Sequence, residues 1–281
     1  MFQLLKILKR LVVFVLSILA AYITYLLLIT LFLNSYHAGR QYYIFLVPVV
    51  LTMWLFTAYI VLPAIHRIMV KMYLPNYFIG RARTVDGLLA DPINLAVTGT
   101  KRQLIAAMKR AGWDRADPMN LVNSSKMVWH LLRNKSYPHA PVSPLYLFGF
   151  KQDLVFQKEV NNSPHTRHHV RFWKTPTNWW LPGGYKSDWL GAATYDRRVG
   201  FSTFTLQFTH KIDAEIDIER DYVVNTLKQT GLVGYVDVVR HYASGFRSRN
   251  GGGDHILTDG NLPFIHLIST TTETTRAANE E

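Results

Sequence analysis

The stretch RHHVRFW, residues 167–173, alternates bulky apolar and basic side chains at a period that suits an extended strand. Successive side chains of a strand leave opposite faces, so Arg167, His169, Arg171 and Trp173 share one face while His168, Val170 and Phe172 share the other. The second face is the more apolar and is expected to be buried, with His168 satisfied inside the core or at its edge. His169 and Arg171 are then the pair to watch, as an anion-binding or catalytic face or as one side of an ordinary half-wet strand.

Similar short runs surround it: LYLFGF (145–150), DLVFQK (153–158), WLGAATYD (189–196) and FSTFTLQFTH (201–210), rich in β-branched and aromatic residues and separated by turn-forming segments. Together they predict a meander of about five antiparallel strands. YVDVV (235–239) and NLPFIHLI (261–268) read as further strands, and SGFRSRNGGGD between them as a loop with a basic, solvated tip at Arg247 and Arg249.

Three helices frame the meander. GTKRQLIAAMKRAGWD (99–114) has legible ends, because Thr100 and Gln103 form a capping box and Gly112 suits the left-handed position past the last turn. A second helix is expected over about 125–133, before Pro138, Pro141 and Pro144. The third, within 213–231, carries acidic residues in its first turns, Gly231 past its end, and an apolar stripe of Ile218, Tyr222, Val223 and Leu227. The fold class is α+β: two N-terminal transmembrane helices, then a mainly antiparallel sheet domain with about three helices. The expected limits are 1–83 for the anchor and its juxtamembrane segment, 84–268 for the domain, and 269–281 for a disordered polar tail.

The chain has 281 residues, and its apolar ones crowd the N-terminus. No charge interrupts Leu11 to Leu33 or Tyr42 to Ile65, each longer than the roughly 20 residues a spanning helix needs. Eight residues, NSYHAGRQ (34–41), separate the runs as a hairpin turn. The first run exceeds the roughly 7–15 apolar residues of a cleavable signal and reads as a retained anchor. Lys6, Lys9 and Arg10 before it, and Arg67, Lys71, Arg81 and Arg83 after the second, outweigh Arg40 in the turn. By the positive-inside rule, both termini and the domain are cytoplasmic, at the inner membrane. Tyr36, Tyr42, Tyr43, Tyr73 and Tyr77 suit interfacial belts.

A net charge of +12 could suit nucleic acid, yet no nucleic-acid-binding signature accompanies it, and an anionic inner leaflet accounts for it more simply. With no cysteine, disulfides, a thiolate nucleophile and cysteine-ligated zinc are excluded. The expected partners are membrane lipids or another membrane protein, not nucleic acid; no cofactor or metal can be named.

Common hydrolase, nucleotide and zinc-protease motifs are missing. What remains is His169 and Arg171, then Asp196 at the end of WLGAATYD, and His210 and Asp213 in THKID. His, Asp and Arg at strand ends could converge as an acid/base pair beside an anion clamp. Each also has a plainer use: turn initiation for Asp196, and a helix N-cap for Asp213 or Asp217. Trp179 and Trp180 in TPTNWWLPGGY (175–185) are either a buried lid or an aromatic loop at the lipid headgroups.

As a set, SPLYLFGFKQDLVFQK (143–158), RHHVRFW, WLGAATYD and THKIDAEIDIERD, preceded by DPINLAVTGTKRQLIAAMKRAGW, resemble the LssY-like C-terminal domain family of bacteria. The likeness covers nearly everything after the apolar runs. Two positions depart from the pattern: Phe150 stands where an arginine tends to follow the glycine of LYLFG, and Lys211 where a second histidine tends to sit. The resemblance implies a bacterial membrane protein with lipid or envelope business, because longer relatives carry this domain behind a lipid-phosphatase-like region. It brings no catalytic residues, and the chain lacks that phosphatase's own motifs. The leading expectation is an accessory module that binds a phosphorylated or lipid ligand or a partner; the alternative is a tethered hydrolase acting on phosphoester or lipid-linked substrates.

Overall fold

The computed structural model describes residues 43–66, 78, 80–133, 135–161, 163, 166–202, 208–243 and 247–268, with scattered positions between 22 and 34. Most of the first apolar run, the turn after it, the interfacial tyrosines at 36, 42, 73 and 77, and the tail 269–281 lie outside the described residues. The apolar helix and the folded domain are two compact units. In the first, α1 (Tyr43–Phe56) continues through a π-helical turn, Thr57–Val61, to His66. Its 20 residues Val47–His66, with mean hydropathy 1.9 over an 18-residue stretch, are long and apolar enough to cross a membrane.

The domain is a three-layer α+β structure. Its main sheet runs in the order β11 (Val233–Val239), β14 (Leu262–Leu267), β3 (Leu95–Thr98), β9 (Trp189–Phe201), β8 (Arg167–Lys174), β7 (Leu154–Glu159) and β4 (Asp114–Arg115), with β10 (Phe208–Ile212) paired to the far end of β9. All its pairs are antiparallel except β14 with β3. A four-stranded sheet, β2 (Leu89–Pro92), β1 (Arg81–Arg83), β5 (Tyr146–Leu147) and β6 (Phe150–Lys151), is separate, as is the hairpin of β12 (Arg247–Arg249) and β13 (His255–Leu257). β1 therefore places residues 81–83 inside the domain rather than in a juxtamembrane segment.

Helices α2 (Lys101–Arg110) and α4 (Ile216–Lys228) cover one face of the main sheet. Leu104, Met108, Val223 and Leu227 pack there on Val97, Phe156, Val170 and Phe172. The small sheet covers the other face, where Ala82, Ala90, Leu145 and Leu147 meet Trp173, Leu190 and Ala192. This sandwiching explains why β8 is buried on both faces, where half-wet alternation was one expectation.

Local signals fared unevenly. The capping box of α2 is formed as read, Thr100 accepting from the Gln103 amide and the Gln103 side chain accepting from Thr100 N, with Gly112 at φ +77°. The second helix, α3, starts earlier than expected, at Leu121–Leu132. Neither Asp213 nor Asp217 caps α4; Glu215 holds that position without a side-chain bond, while Asp217 accepts from Thr258 Oγ1 (2.8 Å) and Asp259 N (2.5 Å). Ile218, assigned to the apolar stripe, is 70% exposed; the buried face includes Ile216, Glu219 and Arg220 with Val223, Val224 and Leu227. LYLFGF is not one strand but the β5–β6 hairpin, turning at Phe148 and Gly149, both at positive φ.

Candidate functional site

Strand register brings four of the five candidate residues together. On the small-sheet face, Arg167 lies opposite Asp196, His169 opposite Thr194 and Arg171 opposite Ala192, and on the other side His169 lies opposite Gln157 of β7. β9 has 13 residues, and β3 pairs only with its stretch Trp189–Gly191, so on that edge β10 can pair with Asp196–Phe201. Asp196 sits at this junction, with Arg167 across from it on one strand and Ile212 on the other. His210, two residues from Ile212, projects to the same face and reaches it.

The carboxylate of Asp196 is the centre. Arg167 Nε donates to Oδ2 at 3.0 Å, His169 Nδ1 stands 3.4 Å from Oδ1, and His210 Nδ1 stands 3.6 Å from Oδ2. Burial by itself raises such a carboxyl's pKa, but His169, Arg167 and His210 outweigh it, so Asp196 is held well below the usual carboxylate range. Arg171 uses one nitrogen twice, Nη1 lying 2.5 Å from Asp91 Oδ2 and 2.6 Å from His169 Nε2. An arginine only donates, so Nε2 of His169 is the acceptor and the network assigns the ring hydrogen to Nδ1, facing Asp196. Thr194 Oγ1 lies 3.0 Å from the same Nε2, and Arg167 Nη1 donates to Gln157 Oε1 at 3.0 Å. Arg167, His169, Arg171, Asp91 and Asp196 are all buried, whereas the His210 side chain is 27% exposed.

Asp213 is not part of this cluster. Its carboxylate stands 3.7 Å from Arg197 Nε in an exposed pair, its Oδ1 accepts from Glu215 N, and its amide donates to Tyr195 O. A β-bulge between the pairs Lys211–Arg198 and Ile212–Asp196 leaves Arg197 as the extra residue and turns that stretch outward. Lys211 projects to the face opposite His210, with Nζ 3.1 Å from Asp254 Oδ1 and donating to Gly252 O.

On the helix-covered face, His168 is the satisfied core histidine expected of it. Its Nδ1 lies 2.6 Å from Glu219 Oε2, and its ring stacks on Tyr222 at 4.1 Å. Burial pushes the Glu219 carboxyl up from its ordinary value, against the pull of its bond with His168.

Sequence reading left Asp91, Gln157, Thr194 and Arg167 out of the candidate set. Parity could have found two of them, since Arg167 is in phase with His169 and Thr194 with Asp196. Asp91 carries no local signal, being 80 positions from Arg171. Among the described residues, no group of three or more His, Asp or Glu side chains is arranged to hold a metal ion.

The tryptophan pair splits. Trp179 packs edge-on against Phe78 (5.0 Å) and Phe148 (4.6 Å), while Trp180 is 57% exposed with Lys186 Nζ 5.9 Å from its ring centroid.

Searches of curated proteins and of solved structures each returned no match. A family profile described as the LssY C-terminus matches residues 71–262, which include every strand and helix that builds the cluster. Since the match covers more than half of the sequence, the chain belongs to the LssY C-terminus family.

Proposed function

We propose that this chain is a membrane-anchored accessory module of the bacterial envelope, in which the Arg/His/Asp cluster shapes the domain instead of turning over a substrate. The anchor is a two-helix hairpin with both termini and the domain on the cytoplasmic side, a reading supported by Val47–His66 and by the flanking basic residues. The domain binds a phosphorylated or lipid ligand, or a partner membrane protein, on its surface. The observation that carries this reading is the pairing inside the cluster: both arginines that could clamp an anion are buried and already matched, Arg171 with Asp91 and Arg167 with Asp196.

One observation favours a second reading, a tethered hydrolase: His210 is partly exposed and stands beside a carboxylate held ionised, an arrangement that orients an imidazole for proton transfer. The purified full-length protein, offered phosphomonoesters, phosphodiesters and lipid phosphates beside the His210→Asn variant, separates the two. The accessory reading expects no turnover above that of the variant. Turnover that His210→Asn removes at an unchanged melting temperature would overturn it in favour of the hydrolase.

A further inference from the structure

The β5–β6 hairpin and the loop 175–186 meet through an aromatic trio. Phe78, Phe148 and Trp179 lie with ring centroids 4.6–5.7 Å apart. Beside this inner trio, two further aromatic side chains stand in water: Phe150 is 70% exposed and Trp180 57%. Lysines flank both of them, Lys151 on the hairpin and Lys186 against the Trp180 ring. No acidic residue occurs from Pro144 to Gln152 or from Thr175 to Ser187. Indole and phenyl rings beside ammonium groups suit the boundary between acyl chains and anionic headgroups, where the ring leaves water and the charge stays in it.

Chain length supplies the second argument. Phe78, a member of the trio, follows the last described residue of the apolar helix, His66, by 12 positions. At no more than about 3.3–3.6 Å per residue, the chain joining that helix to the trio spans at most roughly 40 Å. The intervening segment adds Arg67 and Lys71.

We infer that Phe150 and Trp180, with Lys151 and Lys186, form a lipid-contacting patch that lays the domain on the anionic bilayer surface to which the chain is anchored. The inference rests on the membrane-anchored reading above. It assigns the exposed rings to the headgroup region, the lysines to anionic lipid phosphates, and the inner trio to the support that holds both loops in one plane.

The chain has no cysteine, so single-cysteine variants of the full protein can carry an environment-sensitive fluorophore at chosen positions. Phe150→Cys and Trp180→Cys are compared with Ile218→Cys, a position on α4 as exposed as Phe150. The probe is a vesicle of phosphatidylcholine with or without phosphatidylglycerol, containing lipid spin-labelled near the headgroup. The expected result is a several-fold loss of fluorescence at positions 150 and 180 relative to 218, weakening when phosphatidylglycerol is omitted. Positions 150 and 180 no more quenched than 218, in protein that floats with the vesicles, would overturn the patch and leave the anchor standing; the exposed rings would then belong to a protein contact. Protein that fails to float with the vesicles would overturn the anchor itself, and the patch with it. Because both replaced side chains are largely exposed, their melting temperatures are expected to match that of the unsubstituted chain.

Discussion

Asp196 gathers one arginine and two histidines around a single buried carboxylate, so replacing it removes the charge that Arg167 Nε bonds and that both imidazoles face. Asp196→Asn is expected to cost about 3–5 kcal/mol, the range for breaking a buried ion pair on one side. The pH dependence has a definite sign. A carboxyl held low in the folded chain adds stability above its ordinary value near 3.9, and that contribution fades as pH falls through about 4 towards the lower folded value. Melting curves of the detergent-solubilised chain should therefore show the gap between wild type and Asp196→Asn narrowing as pH drops below about 4. Asp213, chosen on the same sequence grounds, behaves oppositely. Its pair with Arg197 is exposed, and Asp213→Asn should shift stability by no more than about 1 kcal/mol. Both aspartates end or follow strands in the sequence; only the bulge at Arg197, which no residue type announces, separates them.

At the scale of elements, signals confined to one turn of chain were legible and signals that depend on a neighbour were not. The α2 capping box could be read from Thr100 and Gln103 alone, and Thr100→Ala should cost about 1 kcal/mol, measurable by chemical denaturation. The stripe on α4 holds at Val223 and Leu227 but not at Ile218, which is left in water while Glu219 and Arg220 are buried through their own partners, His168 and Asp259. Periodicity counts apolar residues and cannot see such partners. Gly191 shows the same limit from the packing side. A Cβ there would come within 2.8 Å of Phe172 and 3.1 Å of Leu95 Cβ, both fully buried. Gly191→Ala is accordingly expected to destabilise by about 1–3 kcal/mol through overpacking, with a lowered melting temperature as its readout.

Across the whole molecule, the parity of RHHVRFW was enough to sort the strand's two faces, but not to show that both are covered. That required a second sheet built from segments as far apart as Arg81 and Lys151, too short individually to stand out. The pair Arg171–Asp91 joins those layers, one residue from the main sheet and one from the small sheet. If the cluster is an internal clamp, the two must depend on each other. The most direct measurement is a double-mutant cycle on the full chain, comparing the unfolding free energies of Arg171→Met, Asp91→Leu and the double variant. A coupling of at least about 1.5 kcal/mol, with the double variant recovering most of what either single replacement loses, is the expected result. Additivity within about 0.5 kcal/mol would contradict it, because Arg171 would then be held for some purpose other than its aspartate.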